Sequence, residues 1–219
     1  MTPALEFACR AELDAAEWAR ADRLLKHSDA QEFLLARLFQ RRWVSELLGV
    51  RPEALVTAYF CPDCSGTKSG GSNAPDHGRP GYLYDGVRAP VALSASRAAG
   101  WAVFAAAISP PEGFALGVDV EDPAAIFSGF DSVALTDAER ALVVAADSEE
   151  YPRLEVHTVK QRLRANFWAK KEAFLKLRGT GLRTDPATID TTQLRGVRTM
   201  SAQESGLPEQ LVAAVALAG

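Results

Sequence analysis

Residues 167–176 read F-W-A-K-K-E-A-F-L-K and carry the hydrophobic spacing of a helix. At about 100° per residue, four apolar side chains fall on one arc: Phe167, Trp168, Phe174 and Leu175. We predict that this arc faces the core. Gly179 stands where such a helix takes its C-terminal glycine. Lys171 falls within the apolar arc, where a charge must be paired or must reach out of the core.

Glu172 and Lys176 lie four residues apart at the edge of this arc, beside Ala169 and Ala173. Small residues next to a carboxylate and an ammonium leave room for a ligand. An ordinary helix with a Glu to Lys pair at i,i+4 explains the same residues. These ten residues alone favour neither interpretation.

Residues 117–121 read G-V-D-V-E, and their strict alternation predicts a strand. Val118 and Val120 share one face, and Asp119 and Glu121 share the other, about 6 to 7 Å apart. A hard divalent cation would relieve the repulsion between the two carboxylates. By spacing alone, a solvated strand face is the more common explanation.

Similar patterns predict elements in the N-terminal part of the chain. Residues 5–9 fit a short strand, and Asp14 with Glu17 forms a capping box that opens a helix. A second helix begins near residues 28–29 and ends at about Gly49. Its three arginines are predicted to form a solvated face: Arg37, Arg41 and Arg42.

A hairpin is predicted in the middle of the chain. Residues 101–108 form an apolar strand, and residues 109–113 form a turn that leads into the strand at 117–121. Thr136 and Glu139 then form a second capping box at the start of a further helix.

Composition limits the class of protein. The chain has 219 residues, 47% of them hydrophobic, enough for one large domain or two halves. A net charge of -4 argues against a general nucleic-acid binder. No apolar run has the length of a membrane span, and no basic leader is evident, so we expect a cytoplasmic protein without membrane contact.

The cysteines allow two interpretations. Three cysteines do not make a disulfide framework. Cys61, Cys64 and His77 suggest a zinc site but supply only three ligands. A surface loop with two free thiols is favoured over structural zinc.

The two motifs together resemble the 4'-phosphopantetheinyl transferases of the surfactin-synthetase type. Members of that family carry an (I/V)-G-(I/V)-D-(I/V)-E segment, matched here by residues 116–121. They also carry W-(S/T/C)-x-K-E-(A/S)-x-x-K, which corresponds to residues 168–176 with Ala169 at the small-residue position, and a G-x-G-L ending, matched by Gly179, Gly181 and Leu182. The resemblance spans roughly residues 29–182.

The resemblance implies an α+β fold, a pseudo-dimer of two similar halves with the ligand in the cleft between them. The N-terminal half would be residues 1–110. Residues 111–219 would form the C-terminal half, which carries the metal and catalytic motifs.

The resemblance also implies an activity: transfer of the 4'-phosphopantetheine arm of coenzyme A to a serine of an acyl or peptidyl carrier protein, as in secondary metabolite biosynthesis. Magnesium, with manganese as the alternative, would be held by Asp119, Glu121 and Glu172. Glu172, Lys176 and Lys171 would be catalytic, and coenzyme A would contact Arg79, Ser94, Arg20 and Lys176. We expect a monomer whose partners are coenzyme A and the carrier protein.

Some positions depart from the family pattern. Residues 91–96 read V-A-L-S-A-S, with Ala92 in place of asparagine and Ala95 in place of a histidine that helps to hold the phosphates of coenzyme A. Glu32 and Phe33 stand where an arginine followed by a small polar residue is common. The alternative is therefore a divergent relative that keeps the fold and the metal carboxylates but has another ligand, another reaction or a non-catalytic partner role.

Overall fold

The computed structural model describes residues 1–61, 78–146 and 153–219, apart from the side chains of residues 153–157 and 182. The described chain mixes helices and antiparallel sheets, which confirms the predicted α+β class. It divides into two compact units. The first contains Met1–Leu93 with Ala106–Pro110, and the second contains Ser94–Ala105 with Pro111–Gly219. The repetition of one fold in two halves, with a boundary at residue 110, stays a prediction.

The first unit contains three helices and a small sheet. The helices are α1 (Pro3–Glu12), α2 (Ala15–Ala21) and α3 (His27–Leu48). The sheet has the order β1-β2-β3, from β1 (Leu55–Phe60), β2 (Arg79–Tyr84) and β3 (Val87–Arg88). The capping box of Asp14 and Glu17 is confirmed at the start of α2, and Gly49 ends α3 in the left-handed conformation.

The prediction of a strand at residues 5–9 is wrong, because these residues lie in α1. Thr2 accepts a hydrogen bond from the amide of Leu5 and caps this helix, and Pro3 occupies its first position. Both features favour a helix start. The apolar alternation of a short segment was a weaker signal than these two end residues.

The arginines of α3 do not form one solvated face. Arg42 is partly exposed and pairs with Glu12, but Arg37 and Arg41 are buried. Glu17 Oε1 accepts from Arg37 Nε at 2.8 Å, and Glu17 Oε2 accepts from Arg41 Nη2 at 2.5 Å. A buried charge needs such a partner, and here the neighbouring helix α2 supplies it.

One two-stranded sheet contains residues of both units. It consists of β4 (Val91–Ala98) and β5 (Trp101–Ile108). Residues 91–93 and 106–108 belong to the first unit, and residues 94–98 and 101–105 belong to the second.

The second unit is built around a three-stranded antiparallel sheet with the order β6-β8-β7. Its strands are β6 (Ala115–Glu121), β7 (Val197–Met200) and β8 (Val212–Ala218), and its helices are α4 (Phe130–Ala134), α5 (Asp137–Ala145), α6 (Arg153–Arg178) and α7 (Ala202–Ser205). The predicted strand at 117–121, the predicted helix at 167–176 and the capping box of Thr136 and Glu139 are confirmed.

The predicted hairpin between residues 101–108 and 117–121 is wrong. Strand β5 pairs with β4, and β6 pairs with β8, so that Asp119 lies opposite Ala214. The sequence turn at 109–113 suggested the nearest strand as partner. The apolar C-terminal strand covers β6 instead.

Helix α6 packs against β6 and β8 through small side chains. The buried cluster between them consists mainly of alanines: Ala115, Ala165, Ala169, Ala173, Leu177, Val212, Ala214 and Ala216. At Gly117 the approach is so close that an added Cβ would clash with the carbonyl oxygen of Ala173 and would lie 2.6 Å from the amide nitrogen of Leu177. This contact brings the charged edge of α6 to the acidic edge of β6.

We predict that Gly117→Ala lowers the free energy of unfolding by about 3 kcal/mol or more, because backbone atoms of α6 must move to admit the methyl group. Chemical denaturation monitored by circular dichroism measures this loss. Gly100→Ala is the control, since Gly100 has φ 77° and open space around its Cβ position, and should cost only about 1 to 2 kcal/mol of backbone strain. An equal loss in both variants would contradict the prediction.

Candidate active site

Strand β6 and helix α6 bring an aspartate and a lysine into direct contact. Asp119 is 2% exposed, and its Oδ1 accepts from Lys176 Nζ at 2.5 Å and from Ser96 Oγ at 2.6 Å. Its Oδ2 is also buried and has no hydrogen-bond partner among the described residues. One oxygen of this carboxylate is therefore held twice, and the other is left for a ligand.

The neighbouring carboxyl groups of Glu121 and Glu172 have raised pKa values. Burial raises the pKa of Glu121 to about 8, and the negative charges of Asp119 and Glu172 raise it further. Burial also raises the pKa of Glu172, and the charge of Asp119 adds to the effect. Lys176 opposes both shifts. Among the described residues, the charge of Lys176 thus offsets only part of the repulsion within this group of carboxylates.

The donor chemistry of this group fits a hard divalent cation. Magnesium takes carboxylate oxygens, and the buried Oδ2 of Asp119 is such an oxygen without a partner. Within the described residues, however, no three His, Cys, Asp or Glu side chains are placed to hold a metal ion together. Metal binding by Asp119, Glu121 and Glu172 therefore stays a prediction.

Lys171 lies apart from these carboxylates. Its side chain is fully buried, its Nζ pairs with Glu139 Oε2 at 2.6 Å, and it donates to the carbonyls of Ala134 at 2.5 Å and Pro186 at 2.9 Å. All three ammonium donors are thus engaged inside the second unit. The catalytic role of Lys171 stays a prediction, and its pairing with Glu139 answers the cost of a charge in the apolar arc.

Glu139, predicted from the sequence only as a helix cap, has partners on three segments of the chain. Besides Lys171 it accepts from the amide of Thr191 at 3.0 Å and from its hydroxyl at 2.7 Å. Burial favours the neutral acid, but the hydrogen bonds from Lys171 and Thr191 outweigh it and hold the pKa of Glu139 below its usual value. The buried pair joins α5, α6 and the segment that precedes β7.

Ser94 and Ser96 on β4 both contact β6. Ser94 is 2% exposed, and its Oγ accepts from the amide of Val118 at 2.9 Å. The contact of Ser94 with coenzyme A that the resemblance implies stays a prediction. Ser96 was not among the predicted site residues, although the alternation S-A-S places both hydroxyls on one face of a strand.

The predicted coenzyme A ligands Arg20 and Arg79 belong to the first unit. The Arg20 guanidinium carbon lies 5.2 Å from the ring centroid of Tyr59 and 5.8 Å from that of Phe33. Arg79 begins β2, opposite Phe60. Phe33 is buried in the core of this unit, and Glu32 is exposed.

The proposed zinc ligands are only partly described. Cys61 is buried and forms no disulfide with another described residue. Cys64 and His77 lie outside the described residues, so the choice between a zinc site and free thiols stays as the sequence left it.

A small apolar cavity adjoins the acidic group in the second unit. Its volume is about 170 Å³. The lining residues are Glu121, Ala125, Ile126, Phe127, Phe130, Val133, Ala134 and Trp168. Phe130 makes edge-to-face contacts with Phe127 and Trp168. No sequence motif indicated this cavity.

Comparison with known proteins supports the predicted superfamily. Residues 115–213 match the family model described as the 4'-phosphopantetheinyl transferase superfamily. This segment includes β6 and α6, and therefore Asp119, Glu121, Glu172 and Lys176. The surfactin-synthetase type is a finer assignment and stays a prediction.

Other comparisons add less. Among the solved structures that are similar is the holo-[acyl-carrier-protein] synthase of Thermotoga maritima, with 17% identity, a TM-score of 0.34, and coverage of 47% of this chain and 61% of that one. A similarity of this size decides neither fold nor activity. No curated protein sequence matches this chain. Among the helices described, none is both long and apolar enough to cross a membrane.

We predict that Glu139→Gln destabilises the protein by about 3 to 5 kcal/mol at neutral pH, because it leaves the Lys171 ammonium buried without a counter-charge. Since folding lowers the pKa of Glu139, its contribution is complete above its usual pKa of 4.5 and is lost as the pH falls through the lowered value. The difference between wild type and variant should therefore shrink in acid. Urea denaturation at several pH values measures it.

Glu204→Gln is the matched control. Glu204 occupies the same capping-box position in α7 as Glu139 does in α5, but it lies at the surface with Arg198. Exposed pairs contribute little, so this variant should unfold almost as the wild type does. Similar stability of the two variants would show that the buried pair is not important.

Proposed function

We propose that this protein transfers the 4'-phosphopantetheine arm of coenzyme A to a serine hydroxyl of an acyl or peptidyl carrier protein. The observation that supports it most is the buried Asp119 carboxylate, bonded to Lys176 and flanked by Glu121 and Glu172, within the segment that matches the superfamily model. The reaction joins the serine oxygen to the β-phosphorus of coenzyme A, breaks the bond to the bridging oxygen, and releases 3',5'-ADP. The serine proton must pass to a base.

The carboxylates are proposed to hold magnesium, with manganese as the alternative. Asp119, Glu121 and Glu172 are the ligands that we assign to it. When bound, the ion would neutralise charge on the diphosphate.

Lys176 is proposed to stabilise the leaving phosphate. Its side chain is 28% exposed, whereas Lys171 is fully buried. An ammonium held at the edge of a buried acidic group is oriented before the ligand arrives, and such preorganised charge is the main electrostatic contribution in phosphoryl transfer.

Glu172 is proposed as the general base. Burial and the charge of Asp119 raise its pKa, which brings it toward the pH at which a carboxylate base works well. This role requires that Glu172 be deprotonated in the complex, where Lys176 and a bound magnesium ion would favour the carboxylate form.

The runner-up is a divergent relative that keeps the carboxylates but has lost normal recognition of coenzyme A. Two observations favour it. Ala95 lacks the charge of the histidine that the resemblance implies, and the Ser94 hydroxyl bonds to the backbone of β6. The retained Asp119, Glu121, Glu172 and Lys176 favour the transferase.

We expect wild-type protein with coenzyme A, magnesium and an apo carrier domain to add the phosphopantetheine arm, seen as a mass increase of the carrier by mass spectrometry. Glu172→Gln should lower the rate by about 10² to 10⁴-fold, as removal of a general base does. Lys176→Met should also be strongly impaired. Lys170→Met removes the same charge elsewhere on α6 and should stay active. Absence of any transfer by wild-type protein would overturn the proposal.

Ala95→His distinguishes the two functions. If the protein is a transferase with a weakened phosphate contact, a restored charge-assisted hydrogen bond of about 1.5 to 3 kcal/mol should improve binding of coenzyme A at least tenfold. The KM for coenzyme A in the same assay measures this gain, and Ala95→Gln controls for side-chain size. No transfer by wild type or variant would favour the divergent relative.

A further inference from the structure

The contact between β4 and β6 is made by side chains. Ser94 and Ser96 lie two residues apart and therefore on one face of β4. Ser94 accepts from the backbone of Val118, and Ser96 donates to the Asp119 carboxylate at 2.6 Å. The first contact fixes the strand next to β6, which places the second hydroxyl at Asp119.

The Ser96 contact decides which oxygen of Asp119 is available. Ser96 and Lys176 both donate to Oδ1, while Oδ2 is buried and accepts no hydrogen bond from the part of the chain that the structure describes. A carboxylate with one oxygen held by two donors has a fixed side-chain orientation. The other oxygen then points to one place, although a buried acceptor without a partner is costly.

The two donors to Asp119 Oδ1 differ in charge. The Lys176 ammonium neutralises Asp119, and in the proposed function it also stabilises a phosphate. The Ser96 hydroxyl is neutral, so it holds Asp119 without reducing its negative charge. When Lys176 donates to a phosphate, Ser96 still holds Oδ1 in place.

We propose that Ser96 is a positioning residue, which acts through Asp119 and holds Oδ2 ready for a divalent cation. This inference rests on the proposed function, because it assigns the cation to the same carboxylates. Partners of metal ligands typically change metal affinity by 10 to 100-fold when they are removed. Ser96 would therefore affect cation affinity more than the chemical step.

The test measures Mn²⁺ binding to the protein alone by isothermal titration calorimetry. We expect Ser96→Ala to weaken Mn²⁺ binding roughly tenfold or more, and Ser96→Thr, which keeps the hydroxyl and suits a strand, to restore it. Ser205→Ala is the control, because it removes another hydroxyl of the same unit, one that donates to the carbonyl of Ser201 at 2.9 Å. It should bind Mn²⁺ as the wild type does.

A second readout separates positioning from a general loss of structure. In the transfer assay, Ser96→Ala should require a higher magnesium concentration, while its kcat at saturating magnesium returns close to that of the wild type. A fall in kcat that magnesium does not correct would overturn the inference. If Ser96→Ala does not fold, Ser96→Cys replaces it, and its weaker donor should give an intermediate Mn²⁺ affinity.

The two proposals fail in different ways. Unchanged Mn²⁺ affinity in Ser96→Ala, or no Mn²⁺ binding by wild-type protein, would overturn the role of Ser96. Wild-type protein that binds Mn²⁺ in a Ser96-dependent manner but transfers no phosphopantetheine would support the role of Ser96 and overturn the proposed function.

Discussion

Helix α6 lies so close to strand β6 that residue 117 has no room for a side chain. Alanines on the helix and on β8 allow this approach, and together they bury the helix against the sheet. The short distance matters for charge as well as for packing, since Lys176 reaches Asp119 across it. The arrangement of the acidic group therefore depends on an interface made of the smallest side chains.

The same helix presents two lysines to two different environments. Lys171 is enclosed with Glu139 and has every donor engaged, whereas Lys176 remains partly exposed at the acidic group. A closed pair of this kind orients α6, because the ammonium can satisfy its bonds in only one position. The pair of Lys176 and Asp119 is partly exposed at Lys176, so this ammonium can also contact a ligand. Five residues along one helix separate a structural ion pair from a candidate catalytic one.

The acidic group itself is unfavourable without a ligand. Burial and mutual repulsion raise the pKa of Glu121 and Glu172, and Asp119 keeps a buried oxygen without a partner. Perturbed groups of this kind concentrate at functional sites, where stability is reduced for the sake of binding. The match of residues 115–213 to the 4'-phosphopantetheinyl transferase superfamily covers this same group. The carboxylates whose burial is unfavourable thus lie within the segment that matches the family model.

Local patterns in the sequence are enough to predict the secondary-structure elements around the site and the acidic motif. Alternation over residues 117–121, helical spacing over 167–176, and both capping boxes are local signals, and all appear in the structure. The partners became visible only in the folded chain: β8 beside β6, Glu17 beside Arg37 and Arg41, and Glu139 beside Lys171. Local periodicity sets which face a residue occupies. A buried charge or a strand edge, however, is satisfied by a segment distant in sequence, and local periodicity carries no information on which segment that is.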